Sequence, residues 1–160
     1  MNDHFSRLLR GARQTLGPLA LFLALAAGFL WQPLATGEVL LPSDIALRYD
    51  HVWKEGRDPS RIEVQNPLLG DVSDYYYPYR VHALEALRQG RFPLWNPWIL
   101  AGTPFFASAQ AALLDPVNVL MLPSGALASW THGALLRIAL LGWFTFGFAR
   151  ALGRSALASA

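Results

Sequence analysis

The sequence contains no cysteine. That excludes disulfides, thiolate nucleophiles and zinc–thiolate sites, and it leaves the redox compartment unmarked. Lysine is almost absent as well: Lys54 is the only one, so arginine carries nearly all the positive charge. Charged residues make up 15% of the chain and hydrophobic residues 53%, where soluble domains have roughly 25% and 45–50%. The net charge is only +2 and no basic stripe is present, which excludes nucleic acid as a partner. The histidines His4, His51, His82 and His132 show no metal-ligand spacing, and His82 reads as a solvated or interfacial side chain.

In place of charge the chain has two long apolar runs. Gln14 to Gly37 holds no charged side chain. Leu16 to Leu34 within it supplies the roughly 20 mostly apolar residues that a helix needs to cross a bilayer. Pro18 falls near the start, where a first helical turn tolerates proline. Trp31 falls where an interfacial aromatic belongs. Arg7, Arg10 and Arg13 precede the run and place the N-terminus in the cytoplasm. Ala24-Leu25-Ala26 would suit a cleaved signal peptide, but apolar character continues past it to Trp31, which favours an anchor. The second run is Trp130 to Leu152, interrupted by Arg137. Arg137 either snorkels outward or faces protein, water or an anionic group such as a lipid-linked phosphate. Arg150 and Arg154 follow at the far end and again mark a cytoplasmic side.

These signals predict an all-α membrane protein in which two transmembrane helices flank an extracytoplasmic loop with short amphipathic helices. The expected layout is a cytoplasmic N-terminus (1–13), a first transmembrane helix (14–36), the loop (37–129), a second transmembrane helix (130–152) and a cytoplasmic end (153–160). Two helices bury little of such a loop, so the chain is expected to be incomplete, the N-terminal part of a larger polytopic protein.

Ten of the eleven acids and seven of the thirteen bases fall between Glu38 and Trp130. Asp44, Asp50 and Glu55 are scattered through the first section and read as solvated, with Asp44 notable for its closeness to the membrane exit. Asn66-Pro67 and Gly70-Asp71 are turn signals. Asp71 and Asp74 follow at a spacing of three, and two readings stand. Asp71 caps a helix whose first turn holds Asp74, both favoured by the helix dipole. Alternatively the two form a working pair, one as general base on an acceptor hydroxyl and the other orienting it or holding a metal. Tyr75, Tyr76, Tyr77 and Tyr79 surround Pro78 and suit a membrane interface or a sugar-stacking surface. From Tyr77, apolar Val81, Leu84 and Leu87 recur at helical spacing, predicting a short amphipathic helix along the membrane plane and stopped by Gly90.

Arg91 to Trp98 reads as a rigid aromatic turn, and Gly102-Thr103-Pro104 as another break. Phe105 to Leu114 is expected to form a second short helix ending before Pro116, with Gln110 and Asp115 as its strong polar side chains. A packed interfacial hairpin without chemistry is the alternative for this part.

Several of these blocks, in order, resemble the YfhO family of bacterial membrane proteins, within the GT-C class of membrane glycosyltransferases. The blocks are Asn66-Pro-Leu-Leu-Gly-Asp71, Asp74-Tyr-Tyr-Tyr-Pro78-Tyr-Arg80, Gly90-Arg-Phe-Pro-Leu-Trp-Asn-Pro97, Ala101-Gly-Thr-Pro104, Ala109-Gln110 and Asp115-Pro116. The resemblance implies a multi-pass protein of the bacterial inner (cytoplasmic) membrane, with a catalytic Asp in its first extracytoplasmic loop. It implies transfer of a sugar, with inversion, from a polyprenyl-phosphate donor to a cell-envelope glycan or protein acceptor. Asp71 is the first choice for the base and Asp74 the second. Arg80, Asn96 and Gln110 are candidates for donor or acceptor contacts, with Arg80 or Arg137 facing the leaving phosphate. Some enzymes of the class use a divalent metal here and many do not; the cofactor stays unknown from the sequence. Such enzymes have roughly ten or more spans against the two counted here on hydropathy, so the fragment alone is expected to be inactive. The competing reading is a non-enzymatic, membrane-anchored glycan-binding or assembly module; a transporter subunit rests on Arg137 alone.

Overall fold

The computed structural model describes residues 2–49 and 58–159, with the backbone alone for 2–15 and 59. Asp50, His51, Lys54, Glu55 and the side chains of His4, Arg7, Arg10 and Arg13 lie outside the described residues. The chain forms two compact units, one made of residues 1–38 with 131–160 and the other of 39–130.

The first unit contains α1 (Asn2–Phe29), α2 (Trp31–Thr36), most of α6 (Ala126–Ala151) and α7 (Ala156–Ser159). The expected first span, 14–36, is not a single helix. The helix breaks at Leu30, which leaves helical geometry at φ −100° and ψ 25°. Pro33 accounts for the break, because its ring collides with the carbonyl four residues earlier, that of Phe29. The apolar part of α1, Leu16–Phe29, is therefore short for a bilayer core. Pro18 lies inside α1, which extends back to Asn2, instead of in a first turn.

Among the described residues, α6 is the helix long and apolar enough to cross a membrane. It begins at Ala126, ahead of the expected Trp130. Only 6% of its most apolar stretch is buried, unlike the core helix of a soluble protein. The two long helices meet where Phe22 faces Gly142: a Cβ at position 142 would lie 2.8 Å from Phe22 Cγ. Small residues let helix backbones approach closely in membranes, where no hydrophobic drive between helices exists. Gly142→Leu is expected to cost about 1–3 kcal/mol through overpacking. A thermal melt of the full-length protein in detergent checks this, and Phe22→Ala should return part of the loss.

The second unit begins with α3 (Asp44–Tyr49). Its ends are tied to the segment that follows. Asp44 Oδ2 accepts from the Gln65 backbone N–H at 2.8 Å, and Arg48 Nη1 donates to the Ile62 carbonyl at 2.7 Å. Asp44 is thus a strut of the loop. Asn66 caps a short 3₁₀ turn, Pro67–Leu69, by accepting from Leu68 N–H. The chain then enters a π-helical turn, Val72–Tyr76, which continues directly into α4 (Tyr77–Arg88). Pro78 supplies the cause: it has no N–H and its ring crowds the carbonyl of residue 74. The turn widens, and Tyr77 N–H bonds back five residues to Val72. Gly90 follows α4 at φ 69°, the left-handed conformation glycine provides.

A two-residue ladder comes next, β1 (Trp95–Asn96) antiparallel to β2 (Thr103–Pro104). Phe105–Leu114 is not a helix. It holds a 3₁₀ turn, Phe106–Ser108, and then left-handed residues Ala109 (φ 57°) and Ala112 (φ 46°) that end helical geometry. The helix here is α5 (Pro116–Met121), which starts where a stop was expected. Asp115 caps it by accepting from Asn118 N–H at 2.8 Å, and Pro116 takes the first turn, where its missing N–H costs nothing.

The centre of this unit is a stack of rings. Tyr75 and Tyr79 lie 4.4 Å apart between centroids, and Tyr79 and Phe105 4.9 Å. Ala83 and Ala111 complete the cluster, and Phe105 has no exposed surface.

Candidate functional site

An open groove of about 560 Å³ runs along one side of the helix that carries the π turn. Asp74, Pro78, Val81 and Glu85 form its floor, at spacings of four, three and four residues, one stripe of a helix. Tyr77 and His82 flank the stripe. Ala46 of α3 and Trp98 of the β1–β2 loop form the walls. Trp98 is 82% exposed, so its indole is presented to whatever enters.

His82 is held in place. Its ring meets Phe105 edge-on at 4.9 Å, and Nε2 lies 3.2 Å from the Trp95 carbonyl oxygen. A carbonyl only accepts, so this contact assigns the proton of the neutral ring to Nε2 and leaves Nδ1 as the acceptor. Behind the groove the Tyr75 and Tyr79 hydroxyls share a hydrogen bond at 2.9 Å. That bond holds the Tyr75 phenol above the usual tyrosine range.

The two carboxylates of the groove lie far apart. Asp74 and Glu85 are separated by about 16 Å of helix axis at 1.5 Å per residue. A carboxylate pair acting on one glycosidic bond is separated by roughly 5–9.5 Å. Each acid therefore serves a different end of the groove. Among the described residues no three His, Asp or Glu side chains gather as metal ligands.

The sequence-derived candidates separate clearly in space. Asp74 lines the groove and accepts from Ser73 Oγ at 3.1 Å. Asp71 is exposed, makes no capping hydrogen bond and does not line the groove. The extra residue of the π turn explains the difference, because it rotates everything N-terminal to it by about 100° around the axis. Arg80 points into a different network. Its Nη2 donates to Asn118 Oδ1 at 2.7 Å, Nη1 to Ser129 Oγ at 3.4 Å, and its guanidinium stacks 4.4 Å from the Trp130 ring. Asn96 is buried and accepts from Trp98 N–H at 3.0 Å, which shapes the turn presenting the indole. Gln110 is exposed in a turn away from the groove lining, and Arg137 is half-buried in the other unit.

His82, Glu85 and Trp98 are the groove residues that pattern reading did not select. The signal was available for Glu85, which stands three turns beyond Asp74. Trp98 needed the hairpin, which no periodicity announces. No family model, characterised protein or solved structure matches the chain.

Proposed function

We propose that this chain forms the first extracytoplasmic loop, with flanking membrane segments, of a GT-C-like glycosyltransferase of the YfhO type. The substrates are a polyprenyl-phosphate-linked sugar and an extracytoplasmic glycan or protein acceptor, met at the bacterial cytoplasmic membrane. The observation that carries this reading is the groove, with a carboxylate at one end and an exposed indole on its wall. Aromatic faces of this kind stack on the apolar face of a sugar ring, and carboxylates bind its hydroxyls.

In this reading the Asp74 carboxylate takes the proton of the acceptor hydroxyl. The hydroxyl oxygen bonds to the anomeric carbon from the face opposite the phosphate. The carbon–oxygen bond to phosphate breaks, and its electron pair leaves with the lipid phosphate. Glu85, at the far end, holds the acceptor by its hydroxyls. His82 faces the middle of the groove with Nδ1 as an acceptor. Arg80 is engaged by Asn118 and Trp130, so it is not assigned to the leaving phosphate.

The wide separation of Asp74 and Glu85 also suits a groove that binds a glycan without cleaving or forming a bond, the non-enzymatic alternative. Full-length protein in membranes, supplied with a polyprenyl-phosphate-linked sugar, distinguishes the two. The transferase reading expects transfer, with Trp98→Ala raising the donor KM by about tenfold, equal to ~1.4 kcal/mol of lost apolar contact. Glycan binding with no transfer would establish the module instead.

A further inference from the structure

We infer that the β1–β2 hairpin is a membrane-insertion device, with its tip in the interface of the lipid bilayer. The inference does not depend on the transferase reading.

Charge is segregated along the second unit. Between Phe92 and Trp130 the only charged residue is Asp115, and residues 39–91 hold all the others of that unit. The uncharged half nevertheless exposes large apolar side chains. Leu94 is 64% exposed, Trp98 82%, Leu100 88% and Leu120 64%. Leu100 lies in the loop joining the two strands, at the tip of the hairpin.

That tip is held in a demanding conformation. Leu100, Ala101 and Gly102 have φ of 50°, 62° and 117° in succession. Left-handed geometry costs an ordinary residue roughly 1–2 kcal/mol, and such strain collects at sites of function. Two contacts hold the shape. Gly102 N–H donates to the Ile99 carbonyl at 2.8 Å, and the Trp95 indole lies where a Cβ on Gly102 would be, 2.8 Å from Trp95 Cε2. The backbone is thus fixed so that Leu100 projects away from the protein.

The occupant is lipid because of what surrounds the tip in the chain. The uncharged half runs directly into α6, the membrane-length helix, whose first turn belongs to this unit and exposes Leu127. Trp95, Trp98 and Trp130 punctuate it, and tryptophan favours the headgroup level of a bilayer. Lipid tolerates charge poorly, and across this half Asp115 is the single charged residue.

The absence of cysteine gives a direct test. Leu100→Cys and Leu94→Cys, each carrying a nitroxide, are compared with Gln89→Cys in the full-length protein reconstituted in lipid vesicles. Relaxation by oxygen, which dissolves in lipid, is measured against relaxation by a water-soluble nickel chelate. Both hairpin labels are expected to respond to oxygen and to be shielded from nickel, with the order reversed at Gln89. A hairpin label as open to nickel as Gln89 overturns the proposal in favour of water. A label shielded from both reagents overturns it in favour of a protein partner or a second copy. All three positions are exposed, so the substitutions leave the core intact.

Discussion

In the proposed transferase, Asp74→Asn is expected to lower sugar transfer by about 10²–10⁴-fold, the usual contribution of a positioned general base, while Asp71→Asn keeps activity within about threefold. The contrast tests the geometry more sharply than either substitution alone. Both acids precede the same tyrosine cluster and both are exposed, so a general electrostatic role would make them equivalent. Only Asp74 lines the groove. Asn keeps the size of Asp and its ability to accept from Ser73, so a loss in the Asp74 variant reports lost basicity. The measurement is initial rate in membranes against donor concentration. A kcat effect with little change in KM identifies a group acting in the transition state. Equal losses at both positions would remove the π turn from the account.

Phe105→Ala is expected to destabilise the loop unit by about 3–5 kcal/mol, the range for truncating a buried phenylalanine. Phe105 has no exposed surface, and its ring is shared between Tyr79 on one side and His82 on another. Its N–H donates to the Leu94 carbonyl at 2.8 Å, at the end of the two-stranded ladder. Removing the ring therefore opens a cavity beneath α4 and frees His82 at the same time. Phe105→Leu keeps most of the volume and should cost about 1–2 kcal/mol. Limited proteolysis of the full-length protein with temperature follows the loop directly. A melting profile for Phe105→Ala that matches the unaltered protein would show that the stack is not its core.

How much of this was legible in the sequence depends on which signal each element sends. The helix Tyr77–Arg88 was readable because Val81, Leu84 and Leu87 keep helical period and Gly90 ends it. The long apolar helix Ala126–Ala151 was readable from its length and hydropathy. The single helix expected over 14–36 is two, because hydropathy averages over Pro33, which breaks the helix at Leu30. Phe105–Leu114 is apolar apart from Ser108 and Gln110 and so has little period to separate a helix from a packed irregular segment. Asp115-Pro116 was taken as an end because proline stops helices, although Asp before Pro is equally a capped beginning. That Asp74 lines the groove and Asp71 does not rests on a change of helical phase that residue counting does not show. Counting residues assumes 3.6 per turn, and Pro78 alters that number in the turn where the two acids lie.

The Arg80 clamp has a mechanical consequence. Trp130 belongs to α6, a helix about 39 Å long at 1.5 Å per residue, and its indole is the platform on which Arg80 stacks. Arg80 in turn belongs to the helix whose other residues floor the groove. The indole bears on one side of the guanidinium while Asn118 Oδ1 accepts from Nη2 on another, so the side chain is held between two elements of the second unit. The groove helix is thereby pinned to the first turn of α6 inside the second unit, so loosening the Arg80–Trp130 contact loosens the floor on which Asp74 sits.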